Sequence, residues 1–262
     1  MSYFIIICVC MLSSIIGSIC GIGGGVIIKP VLDSLGIMAI KTVSFLSGCT
    51  VLSMSIISLS KNIKDKNNLT FNKLFATILA LGGIIGGLAG KSLFQEILML
   101  FPNSNKIGAI QAFLLLIITL GTLIYTLQKS KITTLNIKNK LIVFLIGIIL
   151  GIISSFLGIG GGPINLVILF YFFSMDTKEA AIYSIYVIMF SQISSITSTI
   201  LSGNIPDFNI TILILMVLCG ILGGFIGNKL NKKINNEKVD KLFIFLMLLI
   251  ICINIYNIFR YL

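Results

Sequence analysis

The chain has 262 residues, of which 57% are hydrophobic and only 10% charged, with a formal net charge of +11. A soluble domain carries about 25% charged and about 45–50% apolar residues, so the solvent for most of this chain is lipid. That excludes a soluble enzyme, a nucleic-acid-binding domain, a disulfide-rich secreted fold and a disordered tail.

Taken in chain order, apolar runs at 3–20, 43–60, 74–95, 107–127, 141–157, 180–201, 210–228 and 241–259 approach or exceed the length of a membrane helix, which needs about 20 mostly apolar residues. Two shorter runs, 26–40 and 163–174, follow glycine clusters. The first run has no basic residue before Lys29, so it is expected to be part of the mature fold rather than a signal peptide. Three basic, polar stretches separate the runs: KNIKDKNNLTFNK at 61–73, QKSKITTLNIKNK at 128–140 and KLNKKINNEKVDK at 229–241. The middle one lies where a linker between halves belongs, giving a first repeat over 1–127, a basic linker over 128–140 and a second repeat over 141–262. The six cysteines lie in apolar stretches without a CxxC pair and read as small buried hydrophobes.

An internal repeat sets the architecture. GIGGG occurs at 21–25 and again at 158–162, an offset of 137. Sliding residues 21–93 onto 158–230 without a gap matches Met38 with Met175, Lys41 with Lys178, Ser47 with Ser184, Ser58 with Ser195 and Asn72 with Asn209. It also places Gly83, Gly86, Gly87 and Gly90 on Gly220, Gly223, Gly224 and Gly227. Apolar composition does not align glycine, asparagine, lysine and serine in register, so the chain is a duplicated, transporter-type fold. The lysines decide its sense. A plain bundle of eight spans, four per half, divides the basic residues evenly between the two sides. If each glycine cluster is instead the tip of a V, each half is a pair of half-helices plus three spans, and the repeats are inverted. One side then holds 14 lysines and the other 5 basic residues, as the positive-inside rule requires. The expected fold is therefore an all-α polytopic membrane protein of two inverted repeats, with the plain 4+4 bundle as the alternative. Stretches 61–73, 128–140 and 229–241 are expected to be cytoplasmic.

The glycine clusters are the first candidates for chemistry. Three successive glycines are costly inside a helix, about 1 kcal/mol each relative to alanine. Non-helical backbone at membrane depth persists only where it is buried or lines a cavity. Glycine lets N–H groups approach a ligand, and the helix that follows points its positive N-terminus there. Gly23, Gly24 and Gly25 with Gly160, Gly161 and Gly162 thus make a candidate anion site without a charged side chain, or else serve close helix packing. Pro163 suits the first turn of the following helix. Asn165 offers an amide, Ser47 and Ser184 matched hydroxyls, and Gln192 an amide inside an apolar span. Each of these reads either as a pathway residue or as an interhelical bond. Lys29 and Asp33, four apart, read as a snorkelling interface pair, with Lys29 assisting an anion as the alternative. No carboxylate sits mid-span, so no Asp/Glu proton relay is evident. With no histidine, His-based catalysis and His-ligated metal sites are excluded. There is also no GxSxG and no intramembrane Asp pair, so an intramembrane enzyme is not indicated.

GIGGGVIIKP near the start and GIGGGPINL after a central basic linker, each followed by a glycine-rich span, resemble the sulfite exporter TauE/SafE family of permeases. The resemblance covers nearly the whole chain. It implies transport of small sulfur-containing or organic anions such as sulfite, thiosulfate or sulfonates, and it carries over Gly23, Gly24, Gly25, Pro30, Gly160, Gly161 and Gly162. The expected function is a secondary permease of the cytoplasmic membrane that moves such an anion by alternating access. The alternative is an anion channel or a membrane subunit of a larger transport complex. No cofactor or metal is expected. The expected partners are the anion and membrane lipid, not nucleic acid, with homo-oligomerisation left open.

Overall fold

The computed structural model describes residues 2–63, 72–100 and 104–261. Among these the chain forms α1 (Ser2–Cys20), α2 (Gly25–Leu35), α3 (Ile40–Ile63), α4 (Lys73–Leu100), α5 (Ser104–Gln128), α6 (Lys140–Leu157), α7 (Pro163–Phe173), α8 (Thr177–Leu201), α9 (Ile210–Asn231) and α10 (Asn236–Tyr261), with one 3-10 turn at Lys129–Lys131 and no strand. Eight of these helices are long and apolar enough to cross a membrane, and the expected all-α polytopic class holds. The two arms at each glycine break differ in length. α1 and α6 have 19 and 18 residues, about 27–28 Å and close to the thickness of the hydrocarbon core. α2 and α7 have 11 residues each, about 16 Å and half of it.

Local signals place the helix ends. Pro163 is at the start of α7, where its missing N–H costs little. The aligned pair Asn72 and Asn209 do the same work, their side chains accepting from Phe75 N–H and Thr211 N–H at the starts of α4 and α9. Gly36 and Gly158, both left-handed, end α2 and α6. The basic stretch expected as a loop over 229–241 is mostly helical: only 232–235 lie between α9 and α10. Lysine is a good helix former, so both helices run past their apolar cores. Of stretch 61–73, residues 64–71 lie outside the described residues.

Small residues bring the helices to backbone contact, and they join the two halves crosswise. On α4, Gly82, Gly86 and Gly90 press on the carbonyls of Phe144, Ile148 and Ile152 of α6, while Gly83 and Gly87 face Val187 and Ser191 of α8. On α9, Gly220 and Gly224 meet Thr50 and Met54 of α3, while Gly223 and Gly227 meet Ser14 and Ile15 of α1. The registers rise together, so α4, α6 and α8 run parallel, as do α1, α3 and α9. Hydrogen bonds follow the same seams. Ser194 Oγ donates to Ile84 O at 2.8 Å, Ser18 and Ser58 share one at 2.7 Å, and Asn228 Nδ2 donates to Ser58 O at 3.2 Å. Large apolar side chains such as Leu88, Phe113, Ile149, Leu222 and Phe245 face outward, as a lipid-facing surface requires. Cys10, Cys20 and Cys219 are buried as expected, but Cys252 is exposed on the outer face of α10.

These contacts separate two glycines that look alike in sequence. A methyl group on Gly86 collides with Ile148 O, whereas one on Gly121 of α5 meets nothing within 4 Å. Gly86→Ala is expected to cost about 1–3 kcal/mol, and Gly121→Ala to stabilise by about 0.5–1 kcal/mol. Thermal midpoints of the purified protein in detergent measure both. Shifts of the same sign would refute the packing role of Gly86.

Candidate functional site

Both breaks use backbone that only glycine adopts cheaply. Gly23 has φ 78°, Gly160 φ 68° and Gly161 φ 137°. Past Cys20 the chain doubles back on α1, so that a Cβ on Gly24 would lie 3.2 Å from Ser13 O and from Ser14 N. The two breaks then pack on each other. Gly25 faces Ile159 O, Gly161 faces Ile22 O, and Gly23 would place a Cβ 3.3 Å from Gly160 O. Val51 of α3 and Ile188 of α8 close the junction from its sides. α2 and α7 both begin here, so two positive helix ends converge at the middle of the fold.

An open chamber of about 350 Å³ leads toward this junction from the ends of α3, α4 and α8. Lys41, Lys91, Gln95, Thr199 and Asn204 supply its polar wall, and no carboxylate is among its lining residues within the described chain. Neither ammonium has a carboxylate partner among the described residues; Lys91 Nζ lies 5.2 Å from the Phe94 ring centre. Asp207 lies in a neighbouring surface cavity that also touches Lys41. Phe45, Lys91, Phe94 and Thr199 are shared with an inner chamber of about 10 Å³, lined further by Ser44, Gly48, Ser155, Gly158, Gln192 and Ser195. That inner space suits one water. The hydroxyls of Ser44 and Ser155 are buried there without a partner, leaving donors for an oxyanion.

The structure distributes the residues singled out from sequence around this path. Gln192 lines the inner chamber. Gly23, Gly24, Gly25, Gly160 and Gly161 form the packed junction beyond it, and Gly162, with extended backbone, precedes Pro163 at the start of α7. Ser47 Oγ is buried without a partner, 2.9 Å from the position of a Cβ on Gly25. Asn165 Nδ2 donates to Ser184 Oγ at 3.4 Å, so these two candidates hold α7 to α8. Lys29 and Asp33 do not snorkel: both are buried, 3% and 7% exposed, and paired at 2.7 Å. α2 is covered by α3 and α10, which leaves the pair no route to the lipid interface. Sequence reasoning passed over Lys41, Lys91, Ser44 and Ser155. A lysine near the end of the apolar run 74–95 was the available signal for Lys91; the serines carried none.

Residues 6–254 match the family model described as sulfite exporter TauE/SafE. The chain is 22% identical to the protein named "Probable membrane transporter protein YunE" of Bacillus subtilis (strain 168), in an alignment of 286 positions that covers 98% of each chain. No solved structure matches. With its polytopic helical fold and its duplicated glycine breaks, the chain belongs to the sulfite exporter TauE/SafE family of membrane transporters.

Proposed function

We propose that the protein is a secondary carrier for a small anion of the sulfur oxyanion or sulfonate class, working by alternating access across the cytoplasmic membrane. The observation that carries this reading is the chamber, which has two unneutralised lysines at its mouth and free serine hydroxyls at its floor, and which ends on the junction of the two breaks. Lysine attracts the anion, and hydroxyls together with converging helix N-termini replace its water without trapping it in a tight ion pair. An inner space of about 10 Å³ is too small for a four-atom oxyanion, so passage calls for movement of the helices around Phe45 and Phe94.

The helix registers support inverted repeats. α1, α3 and α9 rise together, and so do α4, α6 and α8. Gly48 faces Gln192 while Val51 and Ile188 flank the same glycine, which sets α3 antiparallel to α8. α1 and its repeat partner α6 then run in opposite senses. The chamber opens on the face away from stretches 128–140 and 229–241, which the lysine bias makes the outer face.

Purified protein in proteoliposomes tests the function with radiolabelled sulfite, competed by unlabelled thiosulfate, a sulfonate and a carboxylate. Saturable uptake, accelerated by anion on the far side and competed by the sulfur compounds, is the expected result. Non-saturable flux without counterflow would make it a channel, and no flux would make it a subunit of a larger assembly.

A further inference from the structure

A separate cavity of about 10 Å³ lies between α2, α5, α10 and the second break, lined by Lys29, Asp33, Gln111, Asn254 and Asn257 among others. Its polar groups are out of balance. Gln111 Nε2 donates to Phe156 O at 2.8 Å and Asn257 Nδ2 to Pro30 O at 2.9 Å. These bonds orient both amides, since a reversed amide would set oxygen against oxygen. Gln111 Oε1, Asn257 Oδ1 and Asp33 Oδ1 are left buried without a partner among the described residues. All three are acceptors, and what the cavity lacks is a donor.

Of the candidates for that donor, a proton on Asp33 fits best. The acid form of Asp33 would donate from Oδ1 to one of the two amide oxygens, satisfying two orphaned atoms at once. A metal cation would instead sit beside two positive side chains. Lys29 Nζ is 2.7 Å from Asp33 Oδ2, and Arg260 of α10 donates to the backbone carbonyls of Asp33 and Ser34. Tyr261 on the same helix is the other titratable group near Asp33. α5 faces the cavity with Gln111, and no other ionisable side chain among the described residues lines it.

Protonation has a consequence next door. It leaves the Lys29 ammonium buried without its counter-charge, which is costly unless another anion replaces it. Lys29 Cε lies 3.5 Å from where a Cβ on Gly158 would be, and Ser44 Oγ lies 2.8 Å from the same point. Gly158 and Ser44 both line the inner chamber of the anion path, so the partition between the two cavities is one glycine thick. We infer that Asp33 is a proton-coupling site: one proton binds Asp33 Oδ1 as Lys29 turns from Asp33 to the transported anion, so that proton and anion cross together and neither is stable alone.

This rests on the carrier reading above and deepens it. The test uses proteoliposomes, with thiosulfate and methanesulfonate as probes because their charge is fixed across the physiological pH range. With one proton per anion, a one-unit pH gradient is expected to drive accumulation of up to about tenfold beyond that set by the anion's own gradient. Asp33→Asn imitates the protonated acid: gradient-driven accumulation is expected to vanish while anion counterflow persists. Lys29→Met is expected to lose counterflow as well. Accumulation by Asp33→Asn equal to that of the wild type, or accumulation driven by sodium and not by pH, would overturn the coupling site. Should Asp33→Asn fail to insert, Gln111→Leu removes one acceptor and is expected to move the pH dependence of uptake toward acid; an unmoved profile counts against the site. If wild-type protein shows no counterflow of either probe, the carrier reading fails. Infrared spectroscopy then decides the proton site separately: a buried carboxylic acid band that grows on acidification and is absent in Asp33→Asn supports it, and an unchanged band refutes it.

Discussion

Replacing Gly25 by alanine is expected to abolish anion uptake, while the same change at its repeat partner Gly162 leaves most of it intact. The two glycines occupy the same place in GIGGG, but the structure treats them differently. Gly25 is the first residue of α2, and a methyl group there collides with Ile159 O, 2.7 Å from its carbonyl carbon and 2.9 Å from Ser47 Oγ. The obstacle is backbone of the opposite break, which cannot step aside as a side-chain end can. Gly162 has φ −176°, extended backbone open to any residue, and its nearest neighbour is Ile159 Cδ1 at 3.4 Å, an ordinary contact. Overpacking costs about 1–3 kcal/mol, and at Gly25 the strain is relieved only by parting the two breaks. Counterflow and thermal midpoints of both variants read the contrast. Equal losses would mean that the junction is held by something other than this contact.

Lys91→Met is expected to weaken the apparent affinity for a sulfur oxyanion by about 10- to 150-fold. A hydrogen bond to a charged group contributes about 1.5–3 kcal/mol, which is that range as a ratio. Lys91 borders both chambers, so an incoming anion passes it at the constriction where water is fewest. Lys41 also borders the open chamber but is exposed to solvent. Its contribution is screened, about 0.2–1 kcal/mol, so Lys41→Met is expected to cost less than about sixfold. Added salt should lower uptake by the wild type more than by Lys41→Met. Concentration dependence of uptake provides the check. An unchanged half-saturation in Lys91→Met would remove this lysine from the path.

Much of the fold is legible in the residues because lipid leaves a chain few choices. Every backbone group in the hydrocarbon must bond within its own helix, so the apolar runs at 43–60, 107–127 and 180–201 grew into α3, α5 and α8 with their order intact. Their ends were less legible, as the helical lysines of 229–241 show, since helix formation does not stop where hydrophobicity does. Gln192, which lines the inner chamber, is conspicuous in sequence because it is an amide within an apolar span. Lys91 was less legible, because only the meeting of α3, α4 and α8 makes a lysine of α4 part of the chamber wall. Lys29 and Asp33 gave away their pairing through their spacing but not their burial, because α10, which covers them, is more than 200 residues further along the chain.

The sequence by itself determined that this is a polytopic membrane protein with the same glycine cluster, GIGGG, early in the chain and again past its middle. Those properties follow from composition and period, which act residue by residue. Only the tertiary structure decided that the two breaks lie against each other, that α4 seats on α6 and α9 on α1 across the halves, and that the acceptors of Asp33, Gln111 and Asn257 share one cavity. Each of these depends on which surfaces meet over long separations, and in lipid that choice is made by close packing of small residues rather than by hydrophobicity.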